Sequence, residues 1–281
     1  MMIRIIPRLD IKGPNLVKGI QLEGLRVLGE PSDFAQFYYK NGADEILYMD
    51  VVASLYGRNS LNEIIERTAS EVFIPLTVGG GLKTIYDIEN VLKSGADKVV
   101  INTAAVKNPN FISQASREFG SSTIAISIEA IKQENNSYFA YTDNGREFTG
   151  IDVLDWAKEI EQNGAGEIII TSVNKEGTGE GFDVDLISKV SDITNLPIVA
   201  HGGAGKKEDI LMLSKSTRLN AISAASIFHY NYIQAEGYNY DNLDEGNTDF
   251  LSDIRINKNL SPLNIADLKQ YLKTNNINVR I

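Results

Sequence analysis

Cysteine is absent from the chain, and histidine occurs only twice, as His201 and His229. Disulfides, thiolate-bound zinc and cysteine nucleophiles are therefore excluded, and a metal role has too few ligands to draw on. Positive charge is scarce as well: 27 Lys and Arg face 37 Asp and Glu, for a formal net charge of −10. Nucleic acid and anionic lipid are bound chiefly through Lys and Arg, so neither is an expected partner. A phosphorylated metabolite stays open, because a few backbone N–H groups bind a phosphate locally. Long hydrophobic runs are missing; nothing approaches the ~18 apolar residues of a membrane span. The opening Met1-Met2-Ile3-Arg4-Ile5-Ile6-Pro7 lacks the apolar core and small-residue cleavage site of a signal peptide. These absences fit a cytoplasmic protein, and nothing in the chain calls for a cofactor.

What the chain does have is a regular rhythm. Short β-branched runs alternate with amphipathic segments, giving candidate strands at Ile3–Asp10, Glu45–Val51, Phe73–Val78, Lys98–Asn102, Thr123–Glu129, Glu167–Ser172, Ile198–His201 and Ala221–Ala225. Helix starts are signalled by Ser32, by Asn108-Pro109 and by Ser261-Pro262. Eight βα units in 281 residues close most naturally into a single (β/α)8 barrel over residues 1–281, with a doubly wound open sheet as the competing arrangement. An internal repeat favours the barrel. Gly42-Ala43-Asp44-Glu45-Ile46 recurs 122 residues later as Gly164-Ala165-Gly166-Glu167-Ile168, and Phe73 to Gly80 recurs at the same offset as Asn195 to Gly202. Two similar four-strand halves are the reading; chance likeness between βα units is the alternative. The rhythm breaks between about 230 and 261, where Tyr230, Tyr232, Tyr238, Tyr240, Asp241, Asp244, Glu245 and Asp249 mark a polar insertion before the last helix. Its tyrosines favour a partner contact over disorder.

Two glycine clusters end the third and seventh strands: Val78-Gly79-Gly80-Gly81 and His201-Gly202-Gly203-Ala204-Gly205. Glycine lets backbone N–H groups converge on an anion without a Cβ in the way. Each cluster has a companion one strand later, Asn102-Thr103 and Ala225-Ser226, so two phosphate sites are expected on opposite sides of one mouth. A tight βα turn is the bland reading of either. Asp10 and Glu129 close opposed strands between the clusters and suit a general acid/base pair, helix capping being the alternative. Alternation gives Arg4, Ile6, Arg8 and Asp10 a common face of their strand, and Thr123, Ala125, Ser127 and Glu129 a common face of theirs. Arg8, Thr171, Glu176 and His201 are further pocket candidates at the same end. At the other end, Arg4, Glu45, Lys98 and Glu167 start strands; a structural ion-pair ring and a gate both fit. Trp156 and His229 read as packing residues.

These residues resemble the HisF family, the cyclase subunit of imidazole glycerol phosphate synthase. The resemblance runs from Ile3 to about Phe228 and returns at Leu268–Leu272 through Val279-Arg280. It is carried by Arg4-Ile5-Ile6-Pro7, Leu9-Asp10, Val17-Lys18-Gly19, Leu76 to Gly81, Gly95-Ala96-Asp97-Lys98, Ile101 to Val106, Gly164-Ala165-Gly166-Glu167, Gly177-Thr178 and Gly202-Gly203-Ala204-Gly205. It implies a barrel paired as a heterodimer with a glutaminase subunit of the HisH type. Ammonia from that partner then passes up the barrel axis to a bis-phosphorylated substrate, giving imidazole glycerol phosphate and an aminoimidazole carboxamide ribotide. It also implies that Asp10 is a catalytic acid/base, that Arg4, Glu45, Lys98 and Glu167 are the gate, and that the glycine clusters hold the phosphates.

Departures gather at the reacting end. Glu129 stands where the family has a second catalytic aspartate, Arg8 where it has a small cysteine, His201 where it has a serine, and Glu176 where it has an aspartate. One more methylene moves a carboxylate by roughly 1.5 Å, and a misplacement of about 1 Å can cost ~10²-fold in rate. A buried Arg8 is expected to hold nearby carboxylates ionised and to weaken proton donation. The pattern also suits a paralogue that supplies ammonia to a separate amidotransferase for acetamidino modification of surface-sugar precursors. A conduit that activates its glutaminase without doing chemistry is the third reading.

Overall fold

Helices alternate with the barrel strands because each of those strands is buried on both faces and must be covered on both. The computed structural model describes residues 2–53, 61–235 and 257–281. Most of the polar insertion, with Tyr238, Tyr240, Asp241, Asp244, Glu245 and Asp249, lies outside the described residues.

The strands are β1 (Arg4–Lys12), β2 (Asn15–Ile20), β3 (Glu23–Gly29), β4 (Ile46–Asp50), β5 (Leu76–Gly79), β6 (Lys98–Ile101), β7 (Ile124–Lys132), β8 (Tyr138–Thr142), β9 (Glu147–Asp152), β10 (Glu167–Ser172), β11 (Ile198–His201) and β12 (Ala221–Ala224). Eight of them, β1, β4, β5, β6, β7, β10, β11 and β12, pair in parallel in that order, and β12 pairs back onto β1. The sheet is closed, so the structure is the (β/α)8 barrel that the rhythm predicts.

Strand alternation sorts side chains between two cores. Ile6, Leu47, Val100, Ala125, Ile169, Val199 and Ala221 fill the barrel interior. Their neighbours Ile5, Tyr48, Val99, Ile126, Ile168 and Ile222 face outward and pack with Phe34, Ile65, Ile88, Trp156 and Leu186 from the helices. Trp156 is part of this outer core.

The helix starts differ from the sequence signals by a few residues. Pro31 takes the first helical position of Pro31–Lys40 with Glu30 as cap, so Ser32 lies inside the helix. Pro109 is itself the residue that precedes Asn110–Phe119. The last helix, Ile265–Thr274, is capped by the side chain of Asn264, which accepts from Ala266 N–H, and Ser261-Pro262 lies upstream of it. Proline and a nearby polar residue mark the neighbourhood of a start, and of these three caps Asn264 alone bonds a free N–H through its side chain.

Two antiparallel hairpins were not expected. β1 and β7 run past the barrel rim and are continued by β2–β3 and β8–β9. Asp10 and Glu129 therefore lie inside long strands rather than at their ends. The second hairpin had a signal: Tyr138 to Thr142 alternates, and Asn144-Gly145 follows. Asp143, Asn144 and Gly145 all have positive φ, at 52°, 62° and 76°, the conformation that Asn and Gly tolerate best. Among the described residues, no helix is long and apolar enough to cross a membrane.

Candidate functional site

Above the interior apolar layer, the next inward positions are polar. Arg8 and Asp10 come from β1, Glu129 from β7, Thr171 from β10 and His201 from β11, and all five are buried. Arg8 lies at their centre. Its Nε donates to Asp10 Oδ1 at 2.8 Å, and a terminal nitrogen donates to Thr171 Oγ1 at 3.2 Å. Lys18, brought in by β2, pairs with Glu176 from the loop after β10 and donates to the Gly19 carbonyl at 2.7 Å. Glu176 also accepts from Leu22 N–H at 3.0 Å, which fastens the first hairpin over the mouth.

The two carboxylates are driven apart in acidity. Burial opposes ionisation of Asp10, but Arg8 and Lys18 more than compensate, and Asp10 is held below the usual carboxylate range. Burial also acts on Glu129, and there it wins: the group is pushed up to about 7. Among the described residues, its Oε2 accepts the Gly145 N–H at 2.8 Å from the second hairpin, with weaker help from Arg8 and Asn102. Arg8 was expected to keep both acids ionised; it does so for Asp10 alone, because its guanidinium is committed to that partner. Asp10 and Glu129 thus both turn inward at one mouth, with their acidities separated by their surroundings.

The glycine turns flank this centre unequally. Gly80, Gly81, Asn102 and Thr103 line an open cavity of about 410 Å³ that also reaches Arg8, Glu129 and Asp143. Gly202, Gly203, Ala225 and Ser226 border a cavity of only about 10 Å³, next to Glu176 and His201. Glycine is required at both turns. Gly80 has φ +107°, and a Cβ there would stand 2.3 Å from the Asp50 carbonyl oxygen. Gly203 has φ +109°, and its Cβ would stand 2.1 Å from the Gly181 oxygen. The bland reading is therefore partly true: these are tight turns, and their backbone also faces the mouth.

At the opposite end, Arg4 bridges Glu45 and Glu167, and Lys98 bridges the same two acids at 3.2 and 3.3 Å. The four charges alternate around a closed ring across the barrel axis, and Thr77 Oγ1 adds a hydrogen bond to Glu45 at 2.6 Å.

The structure thus brings Arg8, Asp10, Glu129, Thr171, Glu176 and His201 to one mouth, flanked by both glycine turns. His229 is elsewhere: it is stacked on Tyr38 with Nδ1 2.6 Å from the tyrosine hydroxyl, a packing role. The sequence reading missed Lys18 and the Asp143-Asn144-Gly145 turn as parts of the site. Lys18 stands in the sequence only within the Val17-Lys18-Gly19 stretch of the resemblance, and its partner Glu176 is 158 positions away; the turn is signalled by its Asn-Gly pair.

The chain is similar to known proteins along most of its length. The family model described as histidine biosynthesis protein matches residues 4–234. The imidazole glycerol phosphate synthase subunit HisF of Legionella pneumophila is 56% identical over 207 residues, covering 74% of this chain and 98% of that protein. The subunit of the same name from Hydrogenobaculum sp. (strain Y04AAS1) is 41% identical over 278 residues, 99% of this chain and 98% of the relative. That of Lactococcus lactis subsp. lactis is 46% identical over 228 residues, 81% of this chain and 88% of the relative.

Proposed function

The chain belongs to the histidine biosynthesis protein family, and we propose that it acts as a HisF-type cyclase subunit of imidazole glycerol phosphate synthase. The observation that carries the reading is the pair of inward carboxylates, Asp10 held acidic and Glu129 pushed up to about 7, between two glycine turns. A bis-phosphorylated substrate spans the mouth. One phosphate rests on Gly80, Gly81, Asn102 and Thr103, the other on Gly202, Gly203, Ala225 and Ser226. A glutaminase subunit of the HisH type docks beneath the barrel as the second half of a heterodimer. Its ammonia enters past Arg4, Glu45, Lys98 and Glu167 and rises to the mouth. Asp10, ionised at neutral pH, accepts the proton released as nitrogen is added, and protonated Glu129 donates one during ring closure. Thr171 holds the Arg8 guanidinium in place, and Glu176 holds Lys18.

The test is turnover of the bis-phosphorylated substrate with a saturating ammonium salt, read as imidazole glycerol phosphate formed. Asp10→Asn and Glu129→Ala are expected to abolish it. Failure of the wild type to turn over rejects the reading. One observation, the Arg8–Asp10 ion pair at the reacting end, favours a second reading, ammonia supply to a separate amidotransferase. That reading predicts no imidazole glycerol phosphate from this chain, with glutaminase stimulation intact.

A further inference from the structure

Arg8 starts on β1 and its guanidinium ends on β10. Nε is bonded to Asp10 on its own strand, and a terminal nitrogen donates to Thr171 Oγ1 at 3.2 Å. Around the closed barrel the strands follow in the order β1, β4, β5, β6, β7, β10, β11, β12. A side chain that reaches from β1 to β10 therefore crosses the lumen as a chord, with β4 to β7 on one side and β11 and β12 on the other. The cavities divide along the same line. The one of about 410 Å³ is lined from β4, β5, β6, β7 and the segments that follow them, with Arg8 at its edge. The one of about 10 Å³ is lined from β11, β12 and the loop after β10. Among the described residues, none borders both. The two also differ in depth. Met49 and Val100, from the apolar layer inside the barrel, border the larger cavity, and no residue of that layer borders the smaller. Arg8 and Thr171 are themselves buried.

We propose that Arg8 partitions the mouth and leaves the barrel interior open only toward the Glu129 side, so that ammonia rising from the floor meets the acceptor there. The inference rests on the ammonia route of the cyclase reading and adds which half of the mouth receives it. The Gly202-Gly203 side is left to anchor the far phosphate. Ammonia leaving the apolar layer beside Met49 and Val100 enters the larger cavity directly. To emerge under Gly202 it would have to displace a guanidinium held by a carboxylate and a hydroxyl. Such charge-assisted bonds are strongest where water is excluded. The arrangement brings the nucleophile to Glu129, the proton donor, with Asp10 at the root of the partition. A small residue at this position, such as the cysteine of the family pattern, is too short to reach β10. The partition is thus a property of this chain's own sequence, and Arg8 is a positioning residue.

The chain has no cysteine, so one introduced thiol reports on one place. Val100→Cys on β6 and Val199→Cys on β11 put that thiol in the apolar layer on either side of the partition. Each lies two residues before a residue of the mouth, Asn102 or His201. The full chain is treated with methyl methanethiosulfonate, and methylthiolation is followed by mass spectrometry. Val100→Cys is expected to react about tenfold faster than Val199→Cys, because the second thiol is reached only when Arg8 leaves both its partners. Arg8→Ser, close in size to the family's cysteine, is expected to speed the Val199→Cys reaction until the two rates agree within about threefold. Equal rates with Arg8 in place, or a difference that Arg8→Ser leaves intact, overturns the partition. In the complex with a glutaminase, Val100→Leu adds a methylene at the exit. It is expected to lower the ratio of glutamine-driven to ammonium-driven turnover about fivefold. An unchanged ratio overturns the placing of the exit. A wild type that shows the labelling pattern but forms no product from ammonium salt rejects the cyclase reading, and the exit with it, while the partition stands.

Discussion

Arg8 and Asp10, two residues apart on the same strand and both turned inward, are joined by a 2.8 Å hydrogen bond from Nε to Oδ1. This bond fixes the charge of the mouth. The guanidinium is spent on Asp10, so Glu129 is left to respond mainly to its burial.

Replacing Arg8 with Met should leave Asp10 buried and unpaired. Breaking a buried pair from one side costs about 3–5 kcal/mol, which denaturant unfolding at pH 7 would show. The sign follows from Asp10 being held low. Its contribution is present above the unfolded carboxylate pKa of about 3.9 and is lost as pH falls through the lower folded value. The gap between wild type and Arg8→Met should therefore shrink as pH drops below 4. A gap that stays constant would count against the pair.

Glu129, at about 7, should act as an acid that is lost on the alkaline side. With rates expressed per free ammonia, kcat/KM is expected to fall tenfold per pH unit above pH 7, and Glu129→Gln should flatten this limb and lower the rate by about 10²–10⁴. Stability also falls as pH rises, over a lower range. A folded value raised from 4.5 to about 7 makes the native state lose stability as pH rises between those values. The loss amounts to about 3 kcal/mol at its limit. Glu129→Gln should thus be more stable than wild type at pH 8, and the two should converge near pH 4.

The ring at the barrel floor predicts a separation of two activities. Glu45→Gln removes the acid shared by Arg4, Lys98 and Thr77. Turnover driven by glutamine should fall at least tenfold while turnover driven by ammonium salt stays within twofold. Lys98→Met should lower stability by only about 1 kcal/mol or less, since solvent screens its partly exposed ammonium. Equal loss of both activities in Glu45→Gln would mark the ring as structural only.

Gly203→Ala should be costly beyond any effect on phosphate. Its Cβ would sit 2.1 Å from a backbone oxygen at φ +109°. A loss of about 2–4 kcal/mol is expected from the combined clash and strain, with a drop in Tm seen by calorimetry in the absence of any ligand. Gly80→Ala should behave similarly because its Cβ also meets backbone, at the Asp50 oxygen.

Local pattern was enough to establish the barrel and which residues turn inward. Alternation along β1 placed Arg4, Ile6, Arg8 and Asp10 together, and strand starts placed Arg4, Lys98 and Glu167 at one end, because strand periodicity is a property of consecutive residues. The two glycine turns were legible for the same reason. Local pattern could not say that Arg8 would choose Asp10 over Glu129, that Lys18 would find Glu176, or that the Gly145 turn would close over Glu129. Those partners lie up to 158 positions apart. The choice between a carboxylate that stays charged and one that keeps its proton depends on how much water is excluded and which cation is near, and folding alone sets both.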